Sequence, residues 1–306
     1  MTSRRLGGVI AAAATPVHAD FSPDTSRLVQ HLRRLLEGGC DAINLLGTTG
    51  EANSFSLRQR LAIMQAVKDA GMPLDRFMVG TGVCSLDESV ALTQAACDLG
   101  FAGALVLPPF FYPGIEDQGL LGYVDALAGR LRTGALALYL YHIPQNTGVP
   151  WPVEVVAELA RRHGALRGLK DSSGDLAYSR AVVAAVPGFD VFPSSEATLC
   201  EARKDGFAGC ISATTNLTGA DSATAWRHQG TPDGRSAVER ATAQRGILGK
   251  QALVASVKAA LAALYGDVEW ARTCPPLLPR SSDQQSALAK ELRDAGLPIP
   301  EATAVC

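Results

Sequence analysis

Short apolar runs recur along the chain with amphipathic stretches between them. The runs cover residues 8–14, 42–46, 77–80, 104–107, 136–141, 166–170, 191–193 and 210–212, and their starts fall about 20 to 35 residues apart. That interval holds one strand, one crossover helix and two loops, so the pattern predicts repeated βαβ units and a parallel sheet. The intervening stretches support this. Residues 26–36 place Leu28, Leu32 and Leu35 at helical spacing before Gly38 and Gly39, and residues 56–70 carry Leu57, Leu61, Met64 and Val67 on one face before Gly71. Eight such units without a GxGxxG after the first strand predict an α/β fold closed as a (β/α)8 TIM barrel, in preference to an open doubly wound sheet. Beyond residue 221 the periodicity is helical, with helices expected over 241–264 and 286–295 and the CPPLLP segment at 274–279 between them. The expected division is a catalytic barrel over residues 1–220 and a C-terminal helical extension over 221–306.

Composition narrows the class without changing the fold. The chain has 306 residues, 47% apolar and 19% charged, enough for a large core and too little charge for a disordered chain. A net charge of −2 provides no general field for nucleic acid or an anionic membrane, so neither is expected as a partner. Seven scattered cysteines without a CxxC pair argue against a disulfide framework and a thiolate zinc site, which fits a reducing cytoplasm. The start of the chain, Arg4 and Arg5 before a short apolar run, imitates a secretory signal but reads better as a buried first strand. That run is shorter than the ~18 residues of a membrane span. The uncharged segment 134–153 is broken by Pro144, Pro150 and Pro152.

In a barrel, reactive groups belong at the C-terminal ends of strands. Three such places carry candidate chemistry. The second run ends in Gly47-Thr48-Thr49-Gly50-Glu51, where backbone N–H groups and threonine hydroxyls can cradle a small anion, although the same residues also suit a tight turn and helix cap. The fifth ends in Tyr141, a phenol able to pass protons or merely to fill the barrel top; Tyr139 would lie deeper on the same face and His142 would point outward. The sixth ends in Lys170 before Asp171-Ser172-Ser173-Gly174. An amine closing an apolar run suits imine formation, or else snorkels to the rim.

The ordered set of segments resembles the dihydrodipicolinate synthase / N-acetylneuraminate lyase superfamily over essentially the whole chain. The resemblance is carried by Thr15-Pro16, the GTTGE loop from Gly47 to Glu51, YxxPxxTG from Tyr141 to Gly148, GLK from Gly168 to Lys170, and Gly209-Cys210-Ile211-Ser212. It implies a class I, Schiff-base aldolase acting on pyruvate and an aldehyde. Lys170 would form the imine, Tyr141 would shuttle protons with the Thr48 hydroxyl in the relay, and Thr49 with the amides of the loop would hold the pyruvate carboxylate. Ile211 matches the position whose carbonyl faces the site. No cofactor and no metal are required, and the usual assembly is a homotetramer.

Two departures bear on the second substrate. Dihydrodipicolinate synthases carry an arginine two residues after the proline of YxxPxxTG, where this chain has Asn146, and a neutral amide cannot replace a bidentate cation for the carboxylate of aspartate semialdehyde. Phe111 stands where those synthases place a tyrosine that crosses into a neighbouring subunit, with Tyr112 beside it. These changes favour cleavage or synthesis of a 2-keto-3-deoxy sugar acid, with Asn146, Ser172 and Glu196 among the groups expected to meet substrate hydroxyls. A dihydrodipicolinate synthase and a non-catalytic binding barrel are the competing readings.

Overall fold

The computed structural model describes residues 5–132 and 136–301. The signal-like residues up to Arg4, Gly134 at the head of the uncharged segment, and Cys306 lie outside the described residues. Eight parallel strands form one sheet: β1 (Gly8–Ala12), β2 (Ala42–Leu45), β3 (Phe77–Gly80), β4 (Gly103–Val106), β5 (Ala137–His142), β6 (Leu166–Asp171), β7 (Asp190–Pro193) and β8 (Gly209–Ser212). Neighbours in the sheet are neighbours in sequence, except that β8 pairs with β1 in the register Val9 to Cys210. The Ala208 N–H donates to the Val191 carbonyl at 3.0 Å, which draws the β7 and β8 ends together and leaves a nearly closed barrel. All the expected strands form, their ends moving by one or two residues.

The crossovers contain α1 (Thr25–Glu37), α2 (Leu57–Asp69), α3 (Leu86–Leu99), α4 (Asp117–Arg130), a single turn α5 (Pro144–Thr147), α6 (Val153–Arg162) and α7 (Leu176–Ala185). Between β7 and β8 only a 3₁₀ segment, Glu196–Glu201, fills the crossover. Local chemistry sets the helix starts. The Asp24 side chain accepts from Arg27 N–H at the head of α1, and Ser56 and Gln59 form a reciprocal capping box on α2. Leu28, Leu32 and Leu35 face the sheet from α1, and Met64 and Val67 do so from α2. The inward row of the strands, including Ile10, Ala12, Met78, Leu105, Tyr139, Tyr141, Phe192 and Ile211, fills the interior with side chains. Tyr139 dictates its neighbours: a Cβ at Gly168 would stand 2.8 Å from one edge of its ring and a Cβ at Gly103 2.9 Å from the other.

After β8 the chain is helical, with no strand among the described residues. It forms α8 (Thr215–Arg227), α9 (Pro232–Leu248), α10 (Leu253–Tyr265) and α11 (Ser282–Asp294). Residue 220, the expected boundary of the barrel, lies inside α8. The single helix expected over 241–264 is corrected: α9 ends at Leu248, Gly249 caps it, and α10 leaves at 110°. Lys250 and Gln251 at the bend are exposed, so the apolar register resumes on a new axis. Among the described residues no single helix is long and apolar enough to cross a membrane. The C-terminal helices are joined to the barrel by polar contacts as well as packing. Asn216 of α8 donates to the Ala12 carbonyl and accepts from Ala14 N–H and from the His31 ring of α1, whose other nitrogen accepts from Tyr265 of α10.

Candidate active site

The threonine loop begins where β2 ends, and its backbone is forced. Leu46 and Glu51, neither a glycine, hold positive φ of 55° and 54°. Such conformations persist in non-glycine residues only where the surroundings over-determine them. Leu46 is fixed from outside by Gly80, where a Cβ would lie 2.0 Å from the Leu46 carbonyl oxygen, so only glycine admits that carbonyl. Glu51 is fixed from the C-terminal region. Lys258 Nζ of α10 donates to Oε1 at 2.5 Å and Cys274 N–H donates to Oε2 at 2.6 Å, with both charged side chains wholly buried. Burial lowers the Lys258 ammonium below its ordinary value, and the Glu51 charge restores part of that shift. Within the loop, Glu51 N–H returns to the Thr48 carbonyl and Ala52 N–H to the Gly47 carbonyl.

This frame presents Thr48 to Tyr141. Their hydroxyl oxygens are 3.1 Å apart, and Lys170 Nζ stands 4.2 Å from the centre of the Tyr141 ring. Tyr141 and Lys170 are registered partners on β5 and β6, which is why phenol and amine end at one level. Both are 4% exposed, and Thr49 is 5% exposed. Burial by itself would raise the Tyr141 phenol. The Lys170 charge, with hydrogen bonds from Ser172, Thr48 and Lys170, outweighs it and brings the phenol below its ordinary value. A narrow cleft opens here, lined by Gly47, Thr48, Tyr141, Arg60, Leu105 and Leu107 among others. Wider hollows lie elsewhere, between α6 and α7 and below the barrel at Arg5 and Trp226, away from the strand C-termini.

The structure therefore brings Gly47, Thr48, Tyr141 and Ser172 together with Lys170, and Ile211 lies in the interior cluster on β8. Asn146 is exposed on α5 at the rim, and its neighbour Gln145 donates to the Ser172 carbonyl at 2.7 Å. Glu196, expected to meet substrate hydroxyls, is corrected: it is buried with both carboxylate oxygens already paired. Its Oε1 accepts from Thr214 and Thr218 and its Oε2 from Arg245, so it braces α8 and α9 against the barrel. His142 points outward as expected, stacked on Tyr178 with ring centres 4.0 Å apart and accepting from Trp151 N–H. Phe111 and Tyr112 are 73% and 71% exposed and meet edge to face.

Two residues escaped the reading of the sequence. Lys258 is the sole charge in the apolar stretch 251–266, a signal that marks a buried partner without naming it. Arg60 is 2% exposed, donates to the Gly80 carbonyl at 2.8 Å and, among the described residues, has no partner for its Nε. Burial pulls its guanidinium down to about 10. Nothing in its helical context distinguished it from the exposed Arg58.

A parallel eight-stranded barrel with an amine, a phenol and two threonines gathered at its strand C-termini defines a TIM-barrel enzyme. The chain belongs to the dihydrodipicolinate synthetase family, whose model matches residues 5–295. An uncharacterized DapA-like lyase of Chloroflexus aurantiacus is 34% identical over 291 residues, covering 92% of this chain and 94% of the relative. A 4-hydroxy-tetrahydrodipicolinate synthase of Cellvibrio japonicus is 33% identical over 213 residues, covering 69% and 72% of the two chains. Among solved structures, a dihydrodipicolinate synthase of Agrobacterium tumefaciens superposes with a TM-score of 0.87 at 26% identity, covering 94% of this chain and 99% of the other. The chain is accordingly a lyase of this family.

Proposed function

We propose that the protein is a pyruvate-dependent class I aldolase that makes or cleaves a 2-keto-3-deoxy sugar acid. The observation that carries this reading is the placement of Lys170 Nζ 4.2 Å from the Tyr141 ring centre, with the Tyr141 phenol 3.1 Å from the Thr48 hydroxyl. In the synthetic direction the Lys170 amine adds to the keto carbon of pyruvate, forming the C–N bond of a carbinolamine. Loss of water leaves a protonated imine, which withdraws electrons as a cofactor otherwise would. A proton leaves the adjacent methyl carbon, and the resulting enamine attacks the aldehyde carbon to form the new C–C bond. Water then adds to the imine and releases Lys170. Tyr141 gives and takes the protons of carbinolamine breakdown and of the aldehyde oxygen, with Thr48 as its relay partner. Thr49 and the amides of the loop hold the carboxylate, so the keto carbon is oriented before reaction.

The test is borohydride reduction in the presence of pyruvate, followed by intact mass and peptide mapping. One reduced pyruvyl group on Lys170, absent in Lys170→Ala, is the expected result; folded protein that takes up none refutes the imine. A panel of hydroxylated aldehydes then identifies the second substrate. The resemblance to the Cellvibrio relative supports a second reading, condensation of pyruvate with aspartate semialdehyde. Asn146 argues against it, and a coupled assay with that aldehyde decides: rapid product formation would displace the sugar-acid reading. Assembly as a homotetramer belongs to the same proposal and is tested by sedimentation.

A further inference from the structure

Asn44 lies on the inward row of β2. Ala42, two residues before it, and its registered neighbours Ala12 and Met78 all belong to the interior cluster, so its side chain points into the barrel. It is fully buried, and among the described residues neither the nitrogen nor the oxygen of its amide has a hydrogen-bond partner. The amide also reaches upward. A Cβ built on Gly47 would stand 2.7 Å from Asn44 Nδ2, so the amide occupies the space directly under the first residue of the threonine loop. Gly47 lines the cleft with Thr48 and Tyr141, and β2 is four strands from β6 in the ring, which sets Asn44 across the barrel from the strand of Lys170. A closed core gains nothing from such a group. An apolar side chain of similar shape would avoid stranding a donor and an acceptor there.

We infer that Asn44 is a substrate-contacting residue whose amide donates, from the barrel side, to the carboxylate of the 2-oxo acid. The inference rests on the proposed imine chemistry and adds to it a floor for the anion cradle, opposite the hydroxyls and amides of the loop. It also accounts for a polar residue in the middle of the apolar run of β2: the amide is left unpaired by the fold and is paired by the substrate. A trapped water would satisfy the same amide without touching substrate, and the experiment must separate the two.

Asn44→Leu and Asn44→Thr are compared with the parent by borohydride trapping across a range of pyruvate concentrations, read by intact mass, together with thermal unfolding. Loss of a hydrogen bond to a charged acceptor raises the half-saturating pyruvate concentration of Asn44→Leu by about tenfold or more, with a smaller rise for Asn44→Thr, which keeps a donor. The melting temperature of Asn44→Leu should equal or exceed the parent's, since an unpaired amide has been replaced by hydrocarbon. Half-saturation of Asn44→Leu within about twofold of the parent would overturn the inference, because a water-binding or purely structural amide affects stability and not pyruvate affinity. Should Asn44→Leu fail to fold, Asn44→Val, smaller and likewise without a donor, decides by the same comparison. A parent protein that traps no pyruvate overturns the imine chemistry and this inference together. A parent that traps, beside variants that trap equally well, overturns this inference alone.

Discussion

Lys258 and Glu51 form an ion pair of 2.5 Å in which neither side chain has exposed surface, and it ties α10 to the loop that carries Thr48 and Thr49. Removing one member of such a pair strands the other charge in a medium that cannot solvate it, at a cost of about 3–5 kcal/mol. Lys258→Met should therefore lower the unfolding free energy by that order. The double variant Lys258→Met with Glu51→Gln should lose less than the sum of the single changes, because neither charge is then left alone. Denaturant melts of the four proteins measure the coupling. Strict additivity would show that the pair is a contact of geometry only.

Tyr141 and Thr48 should separate kinetically. Tyr141→Phe keeps the ring under Lys170 but removes the proposed proton carrier, so kcat should fall by about 10² to 10⁴ while reduction with borohydride still labels Lys170 slowly. Thr48→Val, nearly the same shape, should lose less, since Tyr141 keeps its partners Ser172 and Lys170. Steady-state rates with the aldehyde found in the panel are the readout. Parent-like turnover in Tyr141→Phe would place proton transfer on another group.

Gly80 supports the loop sterically from β3. Alanine there puts a Cβ 2.0 Å from the Leu46 carbonyl oxygen, so that carbonyl must move and the positive φ of Leu46 must relax or worsen. Overpacking of this kind costs about 1–3 kcal/mol, and here the displaced backbone leads directly into Gly47 and Thr48. Gly80→Ala should weaken pyruvate trapping as well as lower the melting temperature. A variant that melts early yet traps pyruvate at parental concentrations would dissociate the loop from its support.

The sequence made the barrel legible because each strand is a short apolar run with both faces covered, and the ends carrying Tyr141 and Lys170 could be read as the places where those runs stop. What stayed hidden depends on distant parts of the chain. Glu196 follows a strand end, as a site residue would, but its direction is decided by Thr214, Thr218 and Arg245, the last 49 positions further on. The bend between α9 and α10 was missed because apolar residues continue on both sides of Gly249, and periodicity alone does not report a change of axis. Lys258 was visible as a lone charge, but its partner, 207 positions earlier, was not.

His31 supplies a prediction on pH. Its ring is enclosed between α1, α8 and α10, donating through Nε2 to Asn216 Oδ1 at 2.8 Å and accepting at Nδ1 from the Tyr265 hydroxyl at 2.8 Å, with Tyr265 and Trp270 edge-on around it. Burial, the dominant cause, pulls its pKa from 6.5 down to about 4, against the opposing hydrogen bond to Asn216. Between those two values the unfolded chain binds a proton at this position that the folded chain refuses. Stability therefore falls as pH drops from about 6.5 toward 4, by ~3 kcal/mol in all for this one group. His31→Gln, which keeps a side chain able to donate to Asn216, should be less stable at pH 7 yet lack this contribution. The parent and variant unfolding free energies should converge as the pH is lowered through the window. Denaturant melts at pH 7, 6, 5 and 4.5 make the comparison, and a parent-minus-variant difference that does not change with pH would mean that the folded chain takes up the His31 proton as readily as the unfolded one, with the Asn216 and Tyr265 contacts rearranged to accept it.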